Sequence, residues 1–149
     1  DSDREAVETA ARMSELHDNI YEFTDKYDTI LGERGVTVSG GQKQRISIAR
    51  ALMKDAEILI LDDSVSAVDT KTEKVILQNL RNTRKGMTTI LIAHRISTIE
   101  GMDKIIFIDE GKVSDVGTHA ELLLRNPAYQ KMVKLQELED KEKEDEKNA

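Results

Sequence analysis

The sequence predicts an α/β fold in which a helical segment leads into a partial, mostly parallel sheet with flanking helices. Three observations carry that expectation. Short apolar runs at Ile58 to Leu61, Ile90 to Ala93 and Ile105 to Ile108 have the length of strands and do not alternate, which suits strands buried on both faces. Segments with apolar residues at helical spacing separate them, so the strands should be joined by crossovers and run parallel. Before Ile58 no such run occurs, and that part reads as helix and loop.

Each element follows from local pattern. Arg4 to Leu16 is an amphipathic helix, with Val7, Ala10, Ala11 and Ser14 on one face and Asp3 and Glu5 suiting its positive N-terminal end. From His17 to Thr37 the periodicity fails, and Gly32 and Gly35 flank Glu33 and Arg34, which predicts a loop-rich connection. Ser39-Gly40-Gly41 then opens a helix carrying Ile46, Ile48, Ala49, Leu52 and Met53 to about Lys54. Glu57 to Asp63 is a strand closed by two acids, and Lys71 to Thr83 is a helix with Val75, Ile76, Leu77 and Leu80 inward. Gly86 marks the turn after it. Thr88 to Ala93 is the second strand, Ile96 to Gly101 a short helix and Lys104 to Asp109 the third strand. Glu110-Gly111 turns into the alternating run Lys112 to Val116, which predicts a hairpin at a sheet edge. Thr118 and Glu121 form a capping box for a helix to about Arg125. Asn126-Pro127 breaks it, and the helix starting at Tyr129 should fray or become disordered in the acidic, lysine-bearing tail. The expected organisation is a helical part over residues 1–55, a core part over 56–136 and the tail over 137–149.

Composition narrows the function. The 149 residues are 38% hydrophobic and 34% charged, with 22 Lys plus Arg against 29 Asp plus Glu, hence 22 − 29 = −7. That is enough apolar material for a modest core under a charged surface. No apolar stretch approaches the roughly 18 residues needed to cross a bilayer, so any membrane role must come through a partner. The absence of cysteine excludes disulfides and thiolate metal sites. The N-terminal Asp-Ser-Asp-Arg-Glu lacks the pattern of a secretory signal, and a cytoplasmic location is expected. The acidic balance argues against nucleic acid as a partner.

At Val38-Ser39-Gly40-Gly41-Gln42 a glycine-rich turn runs into a helix, so free backbone N–H groups and the helix dipole converge where a phosphate could sit. An N-cap serine with glycines for a tight turn would look the same locally. The wider context is more specific. Val38 to Arg45, then Ile48-Ala49-Arg50-Ala51-Leu52, then Ile58 to Asp62 resemble the signature motif, helix and Walker B strand of ABC-type ATPases. In the same order, Thr29 to Gly35 resembles the loop that contacts the transmembrane coupling helices in ABC exporters, Ser66-Ala67-Val68-Asp69 the D-loop, and His94 the switch histidine.

The resemblance implies a P-loop NTPase-like fold, ATP and Mg²⁺ as cofactors, and a location at the cytoplasmic face of the cell membrane. It implies two partners, a second nucleotide-binding domain and an exporter's transmembrane domain, the latter met through Glu33 in the coupling loop. Ser39, Gly40, Gly41 and Gln42 would bind in trans the γ-phosphate of ATP held by the opposing domain. Asp62 would hold Mg²⁺ through water, His94 would sense the γ-phosphate, and Ser66 and Asp69 would act in the D-loop. For Arg45 and Arg50, on a charged helix, salt bridges and solvation are the expectation.

Two departures from the family pattern matter. The position after the Walker B aspartate is usually Glu, the general base, whereas this chain has Asp63, shorter by one methylene or about 1.5 Å. Positioned proton transfer is commonly worth about 10²- to 10⁴-fold, so hydrolysis at this chain's own site should be slow. The near-intact signature beside a degenerate base resembles one subunit of a heterodimeric exporter, whose signature serves its partner's competent site; a homodimer using Asp as a weak base is the alternative. Secondly, the sequence contains no Gly-x-x-x-x-Gly-Lys-Ser/Thr loop, the Walker A element that cradles the β- and γ-phosphates, and neither the adenine-stacking aromatic nor the glutamine loop. The chain therefore looks like the C-terminal portion of such a domain, beginning inside its helical subdomain and inactive alone. The phosphate-loop strand of the family lies between the His94 strand and the Lys104 to Asp109 strand, so its loss should leave edges that re-pair, swap or dimerise. Rival functions are a soluble ABC ATPase acting on ribosomes or DNA, against which Thr29 to Gly35 and the charge count, and a non-catalytic interaction fragment.

Overall fold

A computed structural model describes residues 2–32 and 35–148. The elements are α1 (Ser2–Met13), α2 (His17–Tyr21), α3 (Gly40–Leu52), β1 (Ile58–Asp62), α4 (Thr70–Thr83), β2 (Thr88–Ile92), α5 (Ile96–Ile99), β3 (Ile105–Asp109), β4 (Lys112–Gly117), α6 (His119–Arg125) and α7 (Pro127–Asn148), with a 3₁₀ turn at Lys26–Asp28. They divide into two compact units, one ending at Ala93 and the other beginning at His94.

In the first unit, α1 stops three residues before the predicted Leu16. Glu15 takes a left-handed φ of 56°, its N–H bonds to the Arg12 carbonyl, and the Leu16 N–H reaches back to Ala11, which is a Schellman C-cap. The Met13 carbonyl left free accepts from Asn79 Nδ2 at 3.1 Å, and the Glu15 carbonyl accepts from the Arg45 guanidinium. Arg45 also reaches the Gly41 carbonyl, so its partners are helix-end carbonyls and not the carboxylates expected for it. The predicted loop from His17 to Thr37 contains two short helical turns, α2 and Lys26–Asp28, packed through the rings of His17, Tyr21 and Tyr27.

β1 and β2 pair in parallel, Ile60 opposite Ile90, as the crossover through α4 predicts. Ile48 of α3, Leu59 and Leu61 of β1, Val65, Val68, and Ile76 and Leu80 of α4 form one buried cluster. Each such side chain contributes about 1.5–3 kcal/mol on burial. In α4 the inward face is Glu73, Ile76 and Leu80, whereas Val75, expected inward, is exposed. Burial on both sheet faces does not hold either. Ile58 and Ile60 are 59% and 60% exposed, and Ile90 and Ile92 are each 45% exposed. The apolar run signals a strand covered twice, but helices cover only the side of Leu59 and Leu61.

In the second unit, β3 and β4 form an antiparallel hairpin closed by Glu110 and Gly111, both at positive φ (47° and 72°), the geometry of a type I′ turn. The capping box forms as predicted, with Thr118 Oγ1 accepting from Glu121 N and Glu121 Oε2 from Thr118 N. Pro127 opens α7 at the position proline favours, with Asn126 Oδ1 accepting from Tyr129 N at 2.9 Å. Ile105, Leu122, Tyr129 and Val133 form the core, Phe107 meeting Tyr129 edge to face. The helix continues through the acidic tail to Asn148. Among the described residues β2 pairs with β1, and β3 with β4.

Candidate functional site

The chemistry-bearing residues of the first unit lie at the N-terminus of α3 and in the loop from β1 to α4. Ser39 is the N-cap of α3: its Oγ accepts from Gln42 N at 3.1 Å, and Gln42 Oε1 accepts from Ser39 N at 2.8 Å. The bond to Gln42 uses an oxygen lone pair, so the Ser39 O–H remains able to donate. Ser39 and Gly40 are exposed, and Gly41 and Gln42 half-buried.

The strand β1 ends at Asp62, an exposed carboxylate, and the chain then bends sharply at Asp63, whose φ is 48°. Aspartate tolerates this left-handed region better than most residues. The Asp63 N–H donates to the Ile92 carbonyl at 3.1 Å. Its own carbonyl accepts from Gln44 Nε2 at 3.0 Å and from Ser66 Oγ at 3.1 Å. Asp69 caps α4, accepting from Thr72 N at 3.0 Å, and that hydrogen bond holds its carboxyl below the usual carboxylate range.

The turn at Gly40 and Gly41 touches the loop at Ala67. A Cβ built on Gly41 would lie 2.7 Å from the Ala67 carbonyl oxygen, closer than a real Cβ approaches backbone, whereas one on Gly40 would stand 3.6 Å from Ala67 Cβ. The structure thus gives Gly41 a packing reason of its own. Sequence reasoning passed over Gln44, whose amide bonds Asp63 O, Ser66 Oγ (2.9 Å) and the Ala67 N–H (2.8 Å). The signal was there: Gly41, Gln44 and Ile48 lie at i, i+3 and i+7, one helix face, and Ile48 is core.

Not every predicted residue joins this cluster. Glu33 lies outside the described residues. His94 belongs to the second unit, where its side chain is exposed and its carbonyl accepts from Gln136 Nε2. No group of three or more carboxylates or histidines able to hold a metal is present among the described residues. An apolar cavity of about 170 Å³ between α1, α2 and α3 is lined by Val7, Leu16, Phe23, Tyr27 and Ile46, and of the predicted residues only Gln42 borders it. Ser39, Gly40, Asp62, Asp63, Ser66 and Asp69 are all exposed. Among the described residues no helix is long and apolar enough to cross a membrane.

Residues 2–66, which span the α3 turn and the strand to Asp62, match the family model described as ABC transporter. An ATP-dependent lipid A-core flippase of Chromohalobacter salexigens is 48% identical over 136 residues, 91% of this chain. The chain belongs to the ABC transporter family. A probable multidrug resistance ABC transporter ATP-binding/permease protein of Bacillus subtilis is 46% identical over 138 residues, 93% of the chain. The solved structure of a bacterial Atm1-family ABC exporter with ATP bound superposes with a TM-score of 0.84 at 44% identity, over 89% of the chain. The chain spans about a quarter of the length of these proteins, 24% in each case. The fold is accordingly that of an ABC ATPase domain in part, a helical subdomain followed by a partial sheet. The soluble ribosome- or DNA-acting alternative is not favoured, since these relatives are exporters and flippases by name.

Proposed function

We propose that this chain acts as part of the ATP-binding and ATP-hydrolysing domain of an ABC exporter at the cytoplasmic face of a membrane, and that its signature turn completes a nucleotide site held by a second nucleotide-binding domain. The observation that carries this reading is the open, capped N-terminus of α3, packed through Gly41 onto the loop bearing Asp63 and Ser66. Ser39 and Gly40 are exposed there, and the capping box engages the Ser39 and Gln42 N–H groups but not those of Gly40 and Gly41, which with the Ser39 hydroxyl could serve a phosphate brought by another chain. Ser39, Gly40, Gly41 and Gln42 serve that γ-phosphate. Asp62 would hold Mg²⁺, Asp63 would accept the proton of the attacking water at this chain's own site, and His94 would contact a γ-phosphate. Ser66 and Asp69 belong to the D-loop, and Glu33 meets the transmembrane domain.

The shortened base and the near-intact signature favour a heterodimer in which this chain is the slow subunit. In that organisation residues 1–55 form the helical subdomain, 56–136 the core part and 137–149 the acidic tail. Nucleic acid is not among the partners, given the −7 charge.

The test measures Mg-ATP binding and turnover by the chain alone and mixed with a complete nucleotide-binding domain, with Ser39→Arg as control. No binding alone, and Ser39-dependent stimulation of the complete domain, is the expected result. Tight binding by the chain alone, or stimulation indifferent to Ser39, would overturn the reading.

A further inference from the structure

We infer that Gln44 is a positioning residue that locks the signature helix to the carboxylate-bearing loop of the same chain, so that the two move as one body when a phosphate is met at Ser39. The inference rests on the trans reading above for its consequence, but the lock itself stands on geometry. Gln44 uses both ends of its amide. The Nε2 donates to Asp63 O at 3.0 Å and to Ser66 Oγ at 2.9 Å, while Oε1 accepts from Ala67 N at 2.8 Å. It therefore fastens both ends of the Asp63–Ala67 segment, across about twenty residues of sequence. One helical turn earlier, Gly41 sits against the Ala67 carbonyl with no room for a Cβ. One turn later, Ile48 packs with Val65 and Val68 in the core.

A tilt of α3 driven at its N-terminus therefore pulls on Asp63 and Ala67 through a contact that cannot slide, since a closely packed glycine and a three-point amide both have one fitting position. Ser66 meets the same amide, so the D-loop shares the lock.

Amide hydrogen exchange on the full chain tests the lock. The Ala67 N–H should be protected in the wild type and lose at least tenfold in protection in Gln44→Ala. Gln44→Glu retains the acceptor for Ala67 but opposes a carboxylate to the Asp63 carbonyl, so it should keep most of the Ala67 protection and lose the coupling. Coupling is read by adding a complete nucleotide-binding domain loaded with Mg-ATP. The wild type should change exchange at Gly40–Gln42 and at Ala67 together; both Gln44 variants should change at Gly40–Gln42 alone. A general loss of fold would instead lower protection throughout β1 and α4. Unaltered Ala67 protection in Gln44→Ala, or a nucleotide response that still reaches Ala67, would overturn the inference. Loss of Ala67 protection in Gln44→Ala, together with partner turnover indifferent to Ser39→Arg, would uphold the lock and remove the trans reading.

Discussion

Ser39 has two jobs that one substitution confuses and two can separate. Its Oγ caps α3 through the Gln42 N–H at 3.1 Å, and on the proposed reading its exposed hydroxyl meets a phosphate. Ser39→Ala removes the cap while Gln42 Oε1 keeps the Ser39 N–H, so half of the box survives. The loss should be about 1 kcal/mol, which for a chain of this size lowers the thermal midpoint by roughly 2–4 °C. Ser39→Asp keeps an acceptor for Gln42 N, caps as well as serine, and adds a charge that the helix dipole favours by about 0.3–1 kcal/mol. Its midpoint should equal or exceed that of the wild type. Against a phosphate the same carboxylate repels. At about 4 Å the energy is roughly 1 kcal/mol in water and about 4 kcal/mol near a protein surface, or some five- to a thousandfold less stimulation of a complete partner domain. Differential scanning calorimetry and partner ATP turnover read the two effects side by side. If Ser39→Asp stimulated like wild type, no phosphate would be met there; if it fell in midpoint with Ser39→Ala, the cap would not be what Ser39 contributes.

Three further outcomes follow from the same geometry. Gly41→Ala forces a Cβ to 2.7 Å from the Ala67 carbonyl and should cost about 1–3 kcal/mol in urea unfolding, whereas Gly40→Ala, whose Cβ would make an ordinary contact at 3.6 Å with Ala67 Cβ, should cost well under that; equal costs would refute the close-approach argument. Asp63→Glu in the transporter that carries this chain should raise ATP turnover, measured at saturating Mg-ATP, and an unchanged rate would count against a base limited by reach. Asp115 is held below the ordinary carboxylate range chiefly by the Arg125 guanidinium, and Asp69 and Glu121 by the backbone N–H groups they cap. A depressed native pKa gives stability that is present above the unfolded value and lost as pH falls through the native one. Thermal midpoints should therefore drop as pH is lowered below about 4, and Asp115→Asn should flatten that fall; a parallel profile would show that the Asp115–Arg125 pair at 2.9 Å is not responsible.

How much of this was legible in the sequence depended on whether the signal was local. The Thr118–Glu121 box, the Glu110-Gly111 turn and the parallel crossover are each decided by a few neighbouring residues, and the structure has all three. The end of α1 was not legible, because Glu15 in a left-handed conformation is held by Asn79 and Arg45 from distant elements. Nor was one-sided burial of β1, since Ile58-Leu59-Ile60-Leu61 states how apolar a strand is and not how many layers cover it. Ile58, Ile60, Ile90 and Ile92 form the exposed apolar face of this strand pair. At the candidate site the motif residues were readable from order and spacing. Gln44 was legible only as a position on the helix face of Gly41 and Ile48; that its amide spans Asp63 to Ala67 was not.

The anchoring of Asp63 decides whether its missing methylene matters. A carboxylate on a yielding loop could recover about 1.5 Å by a shift of its backbone, and then Asp and Glu would be equivalent bases. Here the residue's N–H is tied to Ile92 in the neighbouring strand, and its carbonyl is tied to Gln44 and Ser66. Its φ of 48° lies in a narrow well, with the peptide fixed on both sides. Moving the carboxylate forward would mean breaking a strand contact, a three-point amide contact, or both, at about 1 kcal/mol for each hydrogen bond. With the backbone held, rotamer and side-chain length set where the carboxylate lies, and one methylene shortens its greatest reach. On the proposed reading, the rigidity that would let the signature helix and this loop act together would also keep the loop from compensating for a short base, so the inferred lock at Gln44 and the expected slowness of Asp63 would have a common structural origin.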